Sequence, residues 1–455
     1  MKTFHRFHLS HLCLLALLFT IGTNSPAAAP LPFNPQDGET IVFLGDSITH
    51  QSLYPQYLEN FFITRYPERR IRFRNAGVGG DAAADALARF EDDVAAHQPD
   101  YVTLHLGMND GRYAEFDTNN LAVYQQGMRK LLDRIEAIGA KPILLSPTMF
   151  DHMVAKLRAD DEDWRFRGKD FSPNYNALMA YFGAWGLDAA SRRQAPFVNL
   201  WGPLNRHTVT QRRSNPEFTI IWDAIHPNPA GQLIMASEIL TQLGVERKAA
   251  NGIVITKRGK RWVGSKGVTD LTVSENGDEV RFSHKATSLP WVIPVKHSEL
   301  ALKWRLPSDG RTGYQLAVAG HKLSADRLKI AGLAAGTYEL AIAGTVIGQW
   351  KHVALGTKIE IQENEKTPQY QQALKVAHLN RKRTDDFVRP SRDLAGRIKG
   401  IRRRAAAGSA KDVARLPELL KSVSELNQKA DVMLEEIYRV AQPVEREWVV
   451  RRVSE

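Results

Sequence analysis

The feature that most constrains the fold is an alternation of two kinds of segment between residues 40 and 243. Short apolar runs of strand length are separated by longer stretches with helical periodicity. This alternation is typical of a parallel sheet covered by helices on both faces. It predicts strands near 40–44, 71–75, 101–106, 142–146 and 197–200, and helices near 53–65, 83–96, 119–138, 174–192 and 230–243.

Small and polar residues follow the first three predicted strands. Ser47 lies in "VFLGDSITH", Gly80 in "NAGVGGDAA" and Asn109 in "HLGMND". In such sheets ligands bind at the carboxyl ends of the strands, so these residues are expected at one shared site. Taken singly, each also suits an ordinary turn or helix cap, and Asn109 could merely begin a loop.

A serine hydroxyl becomes a useful nucleophile only beside a base that a third group orients, with donors where negative charge develops. The stretch "DAIHPNPAGQ" supplies His226, with Asp223 three residues before it. Ser47, His226 and Asp223 therefore form a candidate catalytic triad. The backbone N–H groups of Ser47 and Gly80 and the amide of Asn109 are the candidate oxyanion donors. The alternative for His226 is a turn histidine bonded to Asp223 without catalysis.

The four blocks, in this order, resemble the SGNH hydrolases, also called the GDSL esterase/lipase family, over about residues 38–245. The resemblance implies a flavodoxin-like three-layer α/β/α fold and ester hydrolysis through an acyl-enzyme on Ser47. It also implies that His226 activates Ser47, that Asp223 orients His226, and that no metal or cofactor takes part. Ser47 lacks the Gly-x-Ser-x-Gly elbow, which argues against an α/β-hydrolase.

The N-terminus predicts export. Lys2 and Arg6 precede an apolar run and the small residues of "SPAAAP", which is the order of a cleavable signal peptide over residues 1–29. A retained membrane anchor is the alternative. The only cysteine, Cys13, lies within this segment, so a mature secreted or periplasmic protein would have no disulfides and no cysteine-based metal site.

The remaining sequence predicts three regions in the mature chain: the hydrolase domain at 30–247, a β-rich accessory domain at 252–365 and a basic helical region at 367–455. Residues 370–455 carry 19 Lys or Arg against 12 Asp or Glu, within a chain of net charge +11. The segment "RIKGIRRRAAAGSAK" is interpreted as a flexible connector, solvated or contacting an acidic glycan or anionic envelope surface. No nucleic-acid-binding motif is present, so a nucleic-acid partner is not expected.

The sequence is compatible with three functions. The first is an exported esterase that removes acetyl groups from a polysaccharide, with Trp262, Trp291, Trp304 and Trp350 as candidates for either a sugar platform or the core. The second is a lipid-directed esterase, lysophospholipase or thioesterase of the same family. The third is a non-enzymatic envelope or glycan-binding protein on an inactive hydrolase fold.

Overall fold

The computed structural model describes residues 33–245, 252–294 and 310–453, so the predicted signal peptide and Trp304 lie outside the described residues. A five-stranded sheet forms the first part of the chain, in the order β2-β1-β3-β4-β5 and parallel throughout. This is the predicted flavodoxin-like order. The strands are β1 Thr40–Gly45, β2 Arg72–Gly77, β3 Tyr101–His105, β4 Lys141–Leu145 and β5 Phe197–Val198.

Helices cover both faces of this sheet because successive residues of a buried strand point to opposite sides. Phe43 packs with one apolar cluster, whereas Val42 and Leu44 pack with the other. The predicted three-layer fold is therefore confirmed. Its helices are α1 Ser47–His50, α2 Leu53–Arg65, α3 Ala83–Ala88, α4 Phe90–Asp93, α5 Thr118–Ala137, α6 His152–Leu157, α7 Tyr175–Arg193, α8 Trp201–Arg212 and α9 Pro229–Gln242.

The second region holds two further sheets, a four-stranded one ordered β13-β10-β6-β7 and a five-stranded one ordered β12-β11-β14-β9-β8. Gly277 and Gly344, at φ +73° and +78°, lie in the turns of two β-hairpins, β8–β9 and β11–β12. The elements are β6 Gly252–Arg258, β7 Arg261–Gly264, β8 Val268–Val273, β9 Glu279–Lys285, α10 Gly310–Leu316, α11 Ala319–Leu323, β10 Arg327–Ala331, β11 Thr337–Ile342, β12 Thr345–Lys351, α12 His352–Thr357 and β13 Ile359–Glu360.

The tryptophans that the sequence left open as a platform or as core take part in packing. Trp291 is buried edge-on against Phe61, with ring centroids 5.4 Å apart. Trp262 and Trp350 pack, partly buried, on the apolar cluster of the β-rich region. Trp291 therefore belongs to the core of the parallel-sheet region, whereas Trp262 and Trp350 border the core of the β-rich sheets.

The C-terminal region differs from the prediction in two ways. It contains α13 Pro368–Arg383, a π-helical turn at Thr384–Val388, α14 Arg389–Ala406, α15 Ala410–Val440 and β14 Glu445–Arg452. The basic connector was predicted to be flexible, but its first ten residues are the second half of α14, which packs against α15 through Ile398 and Ile401. The chain then ends in a strand rather than a helix, because the alternating Trp448 and Val450 are buried against β9 and β11.

None of the helices in the described ranges has an apolar stretch long enough to cross a bilayer.

Candidate active site

Ser47 is held at the end of β1 by the local sequence. Asp46 caps α1, since its Oδ1 accepts the backbone N–H of Ile48 at 2.9 Å. A Cβ on Gly45 would overlap the side chain of Thr49, and a Cβ on Gly77 would overlap the backbone of His50. The two glycines thus let α1 lie directly on the ends of β1 and β2, which places Ser47 at the carboxyl edge of the sheet.

The structure brings Ser47, His226 and Asp223 together as the sequence predicted. Ser47 Oγ lies 2.8 Å from His226 Nε2, and His226 Nδ1 lies 2.8 Å from Asp223 Oδ2. Asp223 Oδ1 accepts the backbone N–H groups of Ile225 and His226, at 3.1 and 2.7 Å. This chain of hydrogen bonds can pass a proton from the serine to the imidazole while a carboxylate stabilises the resulting cation.

Two carboxyl groups of the site differ in their pKa. Burial alone would raise the pKa of Asp223, but the charge and hydrogen bonds of His226 and the N–H of Ile225 outweigh it and hold this pKa below its usual value. Burial raises the pKa of Asp46 to about 7, and the charges of Asp110 and Asp81 add to the shift. Asp223 is therefore the carboxylate suited to face an imidazolium, whereas Asp46 serves as a helix cap.

The predicted oxyanion donors lie around Ser47, but they are not equally free. Within residues 33–245, 252–294 and 310–453, the backbone N–H groups of Ser47 and Gly80 donate to no protein acceptor. Asn109 Nδ2 donates to the Asp81 carbonyl at 3.0 Å and lies 3.4 Å from Asp46 Oδ2. The bond to the Asp81 carbonyl fixes the amide. The contact with Asp46 Oδ2 is long, so the amide hydrogen that faces Asp46 is the one that a substrate oxygen can accept.

Sequence reasoning missed three residues that hold these groups in place. Tyr113 donates its hydroxyl to Asn109 Oδ1 at 2.8 Å, which determines which end of the amide faces the site. Arg89 donates to the carbonyl of Gly45 at 3.1 Å, and Lys399 contacts the loop that carries Gly80. None of the three lies in a recognised motif.

Residues 147–173 are charged and have little periodicity in sequence, yet they pack into the apolar cluster on one face of the parallel sheet. The segment forms α6 and a series of turns, and it buries Trp164 and Phe171. Lys169 lies with Nζ 3.9 Å from the ring centroid of Tyr113. The segment therefore forms one wall beside Asn109 and Tyr113.

No cluster of three or more His, Asp, Glu or Cys side chains with the arrangement of a metal site occurs in the described ranges. The hydrogen-bonded side chains of Ser47, His226 and Asp223 support nucleophilic chemistry, with Ser47 as the attacking group.

The chain is similar to a known family and to several known ester hydrolases. Residues 43–234 match the model of the GDSL-like lipase/acylhydrolase family. An acetylxylan esterase of Geobacillus stearothermophilus is 26% identical over 224 residues, which cover 46% of this chain and 95% of that protein. The Escherichia coli (strain K12) protein thioesterase 1/protease 1/lysophospholipase L1 is 28% identical over 121 residues, covering 25% of this chain and 54% of that protein.

A solved structure shares the architecture over nearly the whole chain. The structure of a gut microbial diltiazem-metabolizing enzyme superposes with a TM-score of 0.78 at 24% identity, covering 92% of this chain and 99% of that one. At this identity the likeness concerns the fold. The β-rich sheets and C-terminal helices therefore belong to an arrangement that also occurs in another protein.

Proposed function

Because the chain belongs, through residues 43–234, to the GDSL-like lipase/acylhydrolase family of SGNH hydrolases, we propose that it is an exported serine esterase that removes acetyl groups from a carbohydrate. The family makes it a carboxylic ester hydrolase, so the non-enzymatic hypothesis is set aside. The observation that carries the proposed mechanism is the 2.8 Å contact between Ser47 Oγ and His226 Nε2.

In the proposed reaction Ser47 Oγ attacks the ester carbonyl carbon as His226 Nε2 takes the hydroxyl proton. The N–H groups of Ser47 and Gly80 and the Asn109 amide donate to the oxyanion of the tetrahedral intermediate. Collapse breaks the ester C–O bond, and the leaving alcohol takes the proton from His226. Water, deprotonated by the same imidazole, then attacks the acetyl-serine and releases acetate.

A short acyl group and a carbohydrate alcohol are supported by the similarity to the acetylxylan esterase, which aligns over 95% of its own length. Export is supported by the order of charged, apolar and small residues over 1–29.

The test compares acetate release from an acetylated xylan with the hydrolysis of p-nitrophenyl esters of increasing chain length. We expect acetate release and a kcat/KM that falls from acetyl to longer chains. S47A should abolish both activities, whereas S214A, which alters an exposed serine, should abolish neither. Unchanged turnover in S47A would overturn the mechanism.

The alternative is a lipid-directed esterase or thioesterase, which the similarity to the E. coli thioesterase and lysophospholipase favours. The same experiment separates the two substrate classes. A kcat/KM that rises with chain length, together with no acetate release from the polysaccharide, would overturn carbohydrate deacetylation and leave the serine mechanism intact.

A further inference from the structure

One buried guanidinium connects the two segments that carry the backbone oxyanion donors. Arg89 Nη2 donates to the carbonyl of Gly45, at 3.1 Å, and Gly45 lies just before Asp46 and Ser47. Arg89 Nε donates to Asp81 Oδ2, at 2.7 Å, and Asp81 lies directly after Gly80. The end of β1 and the Gly80 loop are therefore held at a fixed separation from inside the protein.

The other oxygen of Asp81 is contacted from the C-terminal region. Lys399, on α14, places Nζ 2.6 Å from Asp81 Oδ1 and 3.4 Å from the carbonyl oxygen of Gly80. Nζ also lies 3.1 Å from Asp85 Oδ2. One ammonium thus contacts both the carbonyl oxygen of the Gly80–Asp81 peptide and the side chain of Asp81.

The neighbouring cations of α14 extend this contact along α3 and α4. Arg403 pairs with Asp85 at 2.6 Å, Arg402 pairs with Asp92, and Arg392 pairs with Asp93 at 3.2 Å. Lys399, Arg402 and Arg403, which belong to the basic segment that could have contacted an external acidic surface, therefore have carboxylate partners on the parallel-sheet region. Lys399 differs from Arg402 and Arg403 because its own partner adjoins an oxyanion donor.

The Gly80 loop needs such support. Gly79 and Gly80 are adjacent and exposed. Gly80 has φ +73°, and because glycine has no Cβ, it adopts positive and negative φ values about equally readily. Oxyanion stabilisation depends on donors that are already aimed before charge develops. The Gly80 N–H belongs to the Gly79–Gly80 peptide, and its direction is preserved only if the backbone of Gly80 and the residue after it are held in place.

We propose that Lys399 is a positioning residue for ester hydrolysis: it holds the Gly80 loop so that the Gly80 N–H points at the oxyanion. The inference rests on the proposed function, because it presupposes that Ser47 attacks an ester carbonyl. If Lys399 has this role, the C-terminal region is a part of the active-site scaffold. Lys399 and Asp81 are 318 positions apart in the sequence.

The test uses the whole chain and three variants at two lysines that each contact a carboxylate, Lys399 and Lys421. K399M keeps the aliphatic stem and removes the charge, whereas K399R keeps a charge that can reach Asp81. K421M is the control, since Lys421 lies exposed on α15 beside Glu425. Lys399 also lines the cavity of about 930 Å³, so a methionine at this position meets free space rather than a packed wall.

We expect K399M to lower kcat for p-nitrophenyl acetate by about 10-fold or more while KM stays within about 2-fold, because the alignment of one oxyanion donor is lost. K399R should recover most of kcat, and K421M should match the wild type. A boronic acid that forms a tetrahedral anion on Ser47 should bind K399M more weakly, by about the factor lost in kcat/KM.

Three results would overturn the inference: a kcat within about 2-fold of wild type in K399M, an effect on KM alone, or a loss that merely follows the folded fraction measured by circular dichroism. Failure of the proposed function has a different signature. In that case S47A would keep its activity, whatever K399M did.

Discussion

Asp223 contacts His226 through both of its carboxylate oxygens: Oδ2 lies 2.8 Å from the ring Nδ1, and Oδ1 lies 2.7 Å from the backbone nitrogen. The same side chain thus shapes the turn and orients the ring within it. Because a carboxylate can only accept, it selects the tautomer with hydrogen on Nδ1 and leaves Nε2 as the acceptor that faces Ser47.

Asp223→Asn should separate these two roles. The amide oxygen can still accept the N–H groups of Ile225 and His226, so the fold should survive. The amide NH₂ would face Nδ1 and impose the other tautomer, whose Nε2–H cannot take a proton from Ser47. We expect kcat to fall by about 10³–10⁴-fold, measured with p-nitrophenyl acetate, at an unchanged circular dichroism spectrum. A loss below about 10-fold would mean that the carboxylate is not needed to orient the ring.

Tyr113→Phe should weaken the third oxyanion donor. The lost hydroxyl is the group that holds Asn109 Oδ1, and without it the amide can turn its oxygen toward the substrate. One hydrogen bond of about 1 kcal/mol corresponds to a decrease in kcat of about 5-fold, with little effect on KM. Y181F, at an exposed tyrosine, is the matched control and should be neutral. Equal steady-state parameters for Y113F and Y181F would contradict the orienting role.

Asp110→Asn should change the pH dependence of stability. Asp110 Oδ1 accepts the N–H of Ala83, and burial raises the pKa of this carboxyl from 3.8 to about 6. A raised folded-state pKa gives a contribution that is complete below the unfolded pKa of 3.8 and is lost as the pH rises through about 6.

An asparagine keeps the acceptor for Ala83 and has no charge to bury. Relative to the wild type, D110N should therefore gain about 2 kcal/mol in the free energy of unfolding between about pH 4.5 and about pH 8. Urea denaturation of both proteins at the two pH values measures this difference. The same difference at both values would show that the buried carboxyl does not titrate in this range.

Arg89→Met should destabilise the fold. Arg89 pairs with Asp81 and Asp93 at 2.7 and 2.8 Å, and all three side chains are buried or nearly so. Removing the guanidinium leaves two buried carboxylates whose negative charges are only partly balanced by the remaining cations. This lowers the free energy of unfolding by about 3 kcal/mol. R192M removes the exposed pair with Asp188 and should cost less than about 1 kcal/mol. Equal midpoints of urea unfolding for the two variants would contradict a structural role for the buried network.

The parallel sheet and the residues around Ser47 were predictable because their signals are local. Ser47, Gly80 and Asn109 each follow an apolar run, and Asp223 and His226 share one short turn. By contrast, Arg89 looks like any arginine of an amphipathic helix, and one of the acceptors that it meets in the interior is the carbonyl of Gly45, 44 residues away in sequence.

Lys399 could not be distinguished by composition from the other basic residues of its helix. A partial signal exists, since Arg392, Lys399 and Arg403 are spaced by seven and four residues and so share one helix face. Their acidic partners lie more than 290 positions earlier, and single-sequence periodicity does not pair segments over such distances. The same limit explains why β14 was missed, although Trp448 and Val450 alternate as strand residues do.

The position of β14 also orders the events of biosynthesis. This strand lies between β9 and β11, so the five-stranded sheet consists of two separate hairpins until residues 445–452 have left the ribosome. Each hairpin then presents an open edge on which a foreign strand can pair. A nascent chain that still lacks residues 445–452 is consequently exposed to aggregation after its parallel sheet is complete.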